Sequence, residues 1–279
     1  MTIGSFSIEV LSEGRFEIFA DGHINRSLAE EEDPQTAIAR SDSSIVGINP
    51  ILVQTGSYNI LLDAGLGWGL DAGSSYGDAS NVRTNLEIFG LTPGDISHVI
   101  LSHLHYDHVA GCSFTNSDFS TAPTFPNATY YVHQQEWQHA IRQVDQESTL
   151  QGANYQLDDF YRLIADNNVE LLEGSSTQIL PGITTILTGG HTPGHQAIIV
   201  NSNSEMGYYL GDLLPTSKHL NQYRMENMDY SPIEAKKRKV QLLRSAFEEK
   251  ACLFFYHSQY SQVGSLEKNK DKRYVLKEL

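Results

Sequence analysis

"LSHLHYDHVAG", residues 101–111, sets three histidines and an aspartate into the six positions His103 to His108. The run follows an apolar stretch, "HVI", and is followed by Gly111, so it reads as the end of a β-strand where the chain turns. In an extended segment residues two apart face the same side, so His103 and His105 point together. Asp107 and His108 fall where the backbone turns and can face a second point nearby. A surface loop needs no such arrangement behind an apolar strand, and nitrogen and carboxylate donors this dense point to metal binding.

Four other strands finish in the same way. "YNILLD" stops at Asp63, "ITTILTGGH" at His191, "MGYYLGD" at Asp212 and "CLFFYH" at His257. Ligands of open α/β sheets bind beyond the carboxyl ends of strands, so five such endings are expected to converge. Counting donors gives two sets of three. His103, His105 and His191 can serve one ion and Asp107, His108 and His257 another, with Asp212 left to bridge them. Two metal ions can hold a water between them, lower its pKa and present hydroxide to a carbonyl or phosphoryl centre at neutral pH.

The rest of the chain reads as one α/β domain over residues 1–279, with no repeat and no convincing linker. "FSIEVLSEGRFEIFADG" alternates on both sides of Glu13-Gly14 and predicts a β-hairpin, and a second hairpin is expected around Thr55-Gly56-Ser57. "LAEEEDPQTAIARSD" (28–42) reads as a solvated loop, with a flap over a site as the alternative. The Gly- and Ser-rich stretch 64–79 is a loop whose Trp68 and Tyr76 line a pocket or cap the core. Helices are expected at 82–89, closed by Gly90, at 134–144 and at 157–165. One more begins at Ser231, with a Ser231/Glu234 capping box, Pro232 in the first turn and an apolar stripe of Val240, Leu243 and Phe247. Thr92 and Pro93 offer a further helix start.

Composition narrows the function. Nineteen basic against 34 acidic residues leave a net charge of −15, which opposes nucleic acid and anionic membranes as partners. No apolar run reaches the ~18 residues of a membrane helix. "MTIGSFSIEV" lacks the pattern of a secretory signal, and two cysteines cannot build a disulfide framework, so a cytoplasmic location is expected.

"HLHYDH", "GGHTPGH", "LGDLL" and the late "FFYH", in that order, resemble the metallo-β-lactamase superfamily. Within it the chain looks most like the quorum-quenching N-acyl-homoserine lactonases of the YtnP type, on "GDLLPTSKHL" followed by a capped helix and "FFYH". The resemblance implies an αββα sandwich, two mixed β-sheets flanked by helices, with a dinuclear site at one edge. It implies the same ligand sets as the count above, and a supporting role for Asp63, which would accept a hydrogen bond from a ligand histidine.

The implied reaction is opening of a small-molecule ester, foremost a lactone, by a hydroxide held between two divalent ions. Asp107 or Asp212 would return the proton to the leaving alkoxide, and His219 or a tyrosine would help to hold the oxyanion. Zn2+ suits the donors, and Co2+, Mn2+ or Fe2+ would also fit. A homodimer is the family expectation. Alternative readings on the same fold are a phosphotriesterase, another carboxylic ester or thioester hydrolase, and an iron redox enzyme. Too little chain follows His257 for the glutathione-binding extension of a glyoxalase II-like thioesterase.

The sequence also departs from the lactonase pattern. Where those enzymes carry a tyrosine three residues past the bridging aspartate, this chain has Pro215, and His219, Tyr223 or Tyr230 would substitute for it. The acyl pocket is expected from residues 64–79 and 112–160, with Trp68, Tyr223 and Tyr230 in its wall. Cys112 is read as a packed small residue rather than a ligand, and His195 as a structural histidine. His23, His98, His133 and His139 lack a ligand-like context.

Overall fold

A computed structural model describes residues 1–19, 24–25, 43–74, 79–144, 154–166, 168–221 and 229–278. Two seven-stranded sheets dominate it. In the first, the order across the sheet is Thr2–Ile3, Phe6–Val10, Ile51–Gln54, Asn59–Leu62, His98–Ile100, Thr129–His133, Val169–Leu172. It is antiparallel up to Asn59–Leu62 and parallel beyond. The second runs Ser176–Leu180, Ile183–Leu187, Gln196–Ser202, Glu205–Tyr209, Cys252–Phe254, Val263–Lys268, Tyr274–Glu278. Only its Glu205–Tyr209 and Cys252–Phe254 neighbours are parallel.

The strands bury both faces, and alternate residues serve different layers. Ile51, Val53, Ile60, Leu62 and Ile100 of the first sheet meet Ile198, Val200, Tyr209 and Phe254 of the second. From the opposite face of the first sheet, Leu52, Leu61 and Val99 pack on the helices Val82–Ile88 and Asp158–Ala165 through Val82, Leu86, Phe160 and Leu163. Ile199, Tyr208 and Leu253 of the second sheet pack on Leu243 and Ala246 of the helix Pro232–Glu248. The layers are therefore helix, sheet, sheet, helix, the αββα order expected.

The hairpin about Thr55-Gly56-Ser57 forms, with Gln54 opposite Asn59. The one expected about Glu13-Gly14 does not. Phe6–Val10 pairs with Ile51–Gln54, while Gly14–Phe19 pairs with Ser43–Ile48 in a separate three-stranded sheet. The chain runs straight through the break, with Leu11 N–H donating to Pro50 O and Glu13 N–H to Ile48 O. Glu13 is no turn residue, because its buried carboxylate accepts from the amides of Leu66 (2.8 Å) and Val82 (3.1 Å).

Asn81 caps the helix Val82–Ile88 in a reciprocal box with Thr84, and Gly90 follows its end at φ +70°. Gln134–Val144 is helical as read, and Thr92 begins a short 3-10 turn, Pro93–Asp95. Pro232 opens the last helix, but Ser231 makes no side-chain cap and Glu234 pairs instead with Arg238. The buried stripe of this helix is Ala235, Lys239, Leu243 and Ala246, so it is rotated from Val240 and Phe247. Gly190 explains the rotation: its missing side chain lets the loop before His191 lie on Ala235. The stretch 28–42, His23 and Tyr76 lie outside the described residues.

Candidate metal centre

The five strand ends meet at one edge of the sandwich. His103, His105, His191 and Asp212 bring one donor atom each into a group within 4.8 Å, and Asp107, His108 and His257 form a second such group. His103 Nε2 lies 3.0 Å from His105 Nδ1, which is 3.2 Å from His191 Nε2. In the other group His108 Nε2 is 3.3 Å from His257 Nε2, and Asp107 Oδ2 is 3.5 Å from the latter. Asp212 reaches both: its Oδ2 is 3.4 Å from His191 Nε2, and its Oδ1 is 3.3 Å from His108 Nε2 and 3.1 Å from His257 Nε2.

Backbone closure sets this geometry. Asp63 sits at φ +53°, a left-handed conformation that aspartate tolerates better than most side chains. It turns the chain so that Ala64 N–H donates to His108 O and Gly111 N–H to Gly65 O. A Cβ on Gly111 would collide with Ala64 O, and the glycine after "DHVA" is required by that approach. Asp107 and His108 lie on the single helical turn Tyr106–Val109, which brings their donor atoms to His257.

The outward ring nitrogens fix the direction of the lone pairs. His108 Nδ1 donates to Asp63 Oδ2 (2.7 Å), His257 Nδ1 to Gly47 O (3.0 Å) and His191 Nδ1 to Asp229 Oδ1 (3.1 Å). Ser102 Oγ donates to Asp63 Oδ2 (2.6 Å), so it accepts from His103 Nδ1 (3.0 Å). When the rings are neutral their protons are spent outward, and Nε2 of all four then presents a lone pair inward, the state that metal binding requires.

Lone pairs 3.3 Å apart cannot satisfy one another, and Asp212 Oδ1 is buried without an aligned hydrogen bond. A shared cation resolves both, and nitrogen with carboxylate oxygen is the donor chemistry of zinc-like divalent ions. The residues fit such ions.

Electrostatics divide the centre. Burial, then neighbouring imidazoles, hold His103 and His105 well below the ordinary histidine range. Burial also pulls on His108 and His257, yet carboxylates led by Asp212 outweigh it and raise both. His257 and His108 in turn hold Asp212 well below the carboxylate range in spite of its burial.

Among the residues singled out from sequence, Asp63 stands against His108 as expected. His195 is structural: its Nδ1 lies 2.6 Å from Thr188 Oγ1, and its Nε2 accepts from Asp212 N–H (3.2 Å). Cys112 is buried in the core, outside both donor groups, and burial pushes its thiol well up. Pro215 supplies its carbonyl to His257 N–H, so the position serves the ligand loop through its backbone.

His219 lies on the turn Ser217–Leu220, with Nδ1 2.7 Å from Thr216 Oγ1, and outside both donor groups. Trp68 packs edge-on to Phe16 at 5.6 Å, against the core between the sheets. Tyr230 is 54% exposed; its N–H donates to His191 O and its ring meets His139. Tyr223 lies outside the described residues. A cavity of about 250 Å³ between the 64–79 and 112–160 stretches is lined by Leu70, Arg83, Phe114 and Pro123, and no donor residue lines it.

Sequence reading missed several supports. Tyr209 O–H donates to Asp63 Oδ2 (2.5 Å), and Tyr256 stacks on His108 and donates to Asp107 O (2.6 Å). Both stand within three residues of a strand-end ligand, and a hydroxyl in an otherwise apolar strand was the available signal. Glu136 is fully buried and accepts from Leu104 N–H (3.0 Å), Thr192 Oγ1 (2.5 Å), Gly194 N–H (3.2 Å) and Tyr155 O–H (3.3 Å). Its own sequence context gave no sign of this, because its partners arrive from three other segments.

A fold of two mixed sheets with histidines and aspartates converging at the strand ends defines a class of metal-binding α/β sandwich. The model of the metallo-beta-lactamase superfamily matches residues 45–246, and the chain belongs to that superfamily. Its curated relatives include an N-acyl homoserine lactonase of Bacillus cereus, 27% identical over 126 residues, which are 45% of this chain and 41% of that protein. The N-acyl homoserine lactonase AttM of Azorhizobium caulinodans is 27% identical over 177 residues, 58% of each chain. The chain thus spans about half the length of the curated relatives it matches.

Among solved structures, a probable metal-dependent hydrolase from Staphylococcus aureus superposes with a TM-score of 0.76 at 26% identity, covering 100% of this chain and 99% of that one. AidC, a dizinc quorum-quenching lactonase bound to its product, gives 0.73 at 18% identity over 100% and 97%, a likeness of fold.

Proposed function

We propose that the protein is a metal-dependent hydrolase that opens the lactone ring of N-acyl-homoserine lactones. His103, His105 and His191 would hold one divalent ion, Asp107, His108 and His257 a second, and Asp212 would reach both. The observation that carries this reading is the convergence of two groups of histidine and carboxylate donors on a buried Asp212 carboxylate that reaches both. The choice of lactone rests on the curated relatives, which are lactonases.

Divalent ions bound there, zinc foremost, supply Lewis-acid polarisation of the ester carbonyl and a water acidic enough to react near neutral pH. The chain's own part is orientation and proton handling. Asp63, Gly47 O, Asp229 and Ser102 hold four imidazoles in one tautomer, so no reorganisation is needed when substrate arrives. Asp107 and Asp212 present carboxylate oxygens to the same space, and either could take the proton given up by the attacking water and return it to the departing alkoxide. His219 and Tyr230 are the described side chains we assign to the substrate side.

The test is a hydrolysis panel of acyl-homoserine lactones, plain lactones, thioesters and phosphotriesters with the metal-loaded protein. Lactone turnover well above the other classes supports the assignment. Good turnover of another class without lactone turnover would replace it.

A further inference from the structure

The histidines of the first donor group are not anchored alike. His103 and His191 each place an outward nitrogen on a partner, Ser102 Oγ and Asp229 Oδ1. His105 turns Nδ1 to the cluster, and among the described residues its Nε2 makes no hydrogen bond. Its orientation must come from elsewhere. Two contacts supply it: the backbone beside it is held by Leu104 N–H donating to Glu136, and its ring meets Tyr155 at 4.9 Å between centroids. Tyr155 O–H itself donates to Glu136 Oε1.

The other carboxylate oxygen of Glu136 takes Thr192 Oγ1 and Gly194 N–H, from the loop that carries His191. Gly194 abuts the helix so closely that a Cβ there would collide with Glu136 N. One buried carboxylate therefore joins the two loops that bear the three histidines, through oxygens that each receive two donors. Among the described residues Glu136 makes no hydrogen bond to Asp107, His108 or His257.

We propose that Glu136 is a positioning residue that sets how tightly the His103–His105–His191 group holds its ion, without touching the ion. The role rests on the dinuclear reading above. Replacing one carboxylate oxygen by an amide nitrogen in Glu136→Gln turns an acceptor of two hydrogen bonds into a donor facing donors, which loosens one loop against the other. Outer partners of metal ligands typically govern 10–100-fold in affinity. E136Q is therefore expected to weaken one of two ions by about that factor and to leave the other within about twofold.

The measurement is calorimetric titration of metal-free protein with Zn2+, repeated with Co2+, whose visible absorption reports the ligand field of each ion. Glu13→Gln is the control, since Glu13 is equally buried but accepts from the amides of Leu66 and Val82, neither of them on a loop that bears a donor histidine. E13Q is expected to lower the melting temperature with both affinities unchanged. If E136Q does not fold, Tyr155→Phe and Thr192→Val carry the test, each removing one donor and weakening the same ion a few-fold. Two ions in the wild-type protein with both affinities unchanged in these variants, or both falling equally, overturn the positioning role alone. Fewer than two ions in the wild-type protein overturns the dinuclear reading, and the positioning role falls with it.

Discussion

The two halves of the centre are built on different supports. The Asp107–His108–His257 half is anchored directly to the sheets. Asp63, at the end of the strand Asn59–Leu62, takes the ring of His108, and Gly47 O, on the strand Ser43–Ile48, takes that of His257. The His103–His105–His191 half stands on two loops joined by one helix-borne carboxylate, Glu136. In the first half both imidazoles are held by an outward ring nitrogen, whereas in the second His103 and His191 are held so and His105 relies on the chain beside it, clamped by Glu136. Charge follows the same division, since burial holds His103 and His105 low whereas carboxylates raise His108 and His257. A site can therefore gain precision from direct ring anchoring or from clamping the chain between ligands.

Asp212 serves both halves, so its loss should be the most damaging change. Asp212→Ala is expected to lower lactone kcat/KM by about 10³-fold, the upper scale of removing one main electrostatic contribution. Two ions retained with near wild-type turnover would break the comparison, because no residue would then join the halves.

Asp63→Asn is the next in size. Asp63 is buried and accepts from Ser102 N–H, Ser102 Oγ, His108 Nδ1 and Tyr209 O–H. Breaking such a buried charged network costs about 3 kcal/mol, read as a lower midpoint in denaturant. Unlike E136Q, it should also weaken the ion of the His108 half. Tyr209→Phe removes a single hydrogen bond to the same carboxylate and should cost about 1.5 kcal/mol by the same measurement. A loss as large as that of Asp63→Asn would show that the hydroxyl, and not the carboxylate, organises this half.

The smallest effect is expected at Cys112. It lies four residues past His108, but burial pushes its thiol well up, so it stays neutral at ordinary pH and is a poor ligand and nucleophile. Cys112→Ala should leave both metal affinities within about twofold, and the native thiol should resist alkylation at pH 8 until the protein is denatured. Loss of an ion in this variant would show that the donor set of the second half is incomplete without sulfur.

The donor residues were legible because His103, His191, Asp212 and His257 each follow an apolar strand, and the spacing in "HLHYDH" already divides its members between two faces. The layer order followed from the family resemblance, and near-continuous apolar runs such as "YNILLD" and "CLFFYH" agree with strands buried on both faces. What stayed hidden depends on partners distant in sequence. Glu13 read as a turn residue because its acceptors' donors, Leu66 and Val82, come much later in the chain. Glu136 read as an ordinary helix residue for the same reason. The capping box at Ser231 followed a local rule, but Glu234 found Arg238, and packing of Gly190 on Ala235 decided which face of the helix turned inward.

Two half-sites should hold two ions. Titration of the metal-free protein with Zn2+, followed by calorimetry, tests it most directly. Two ions per chain in two resolvable steps is the predicted result, and saturation at one ion or none would contradict it.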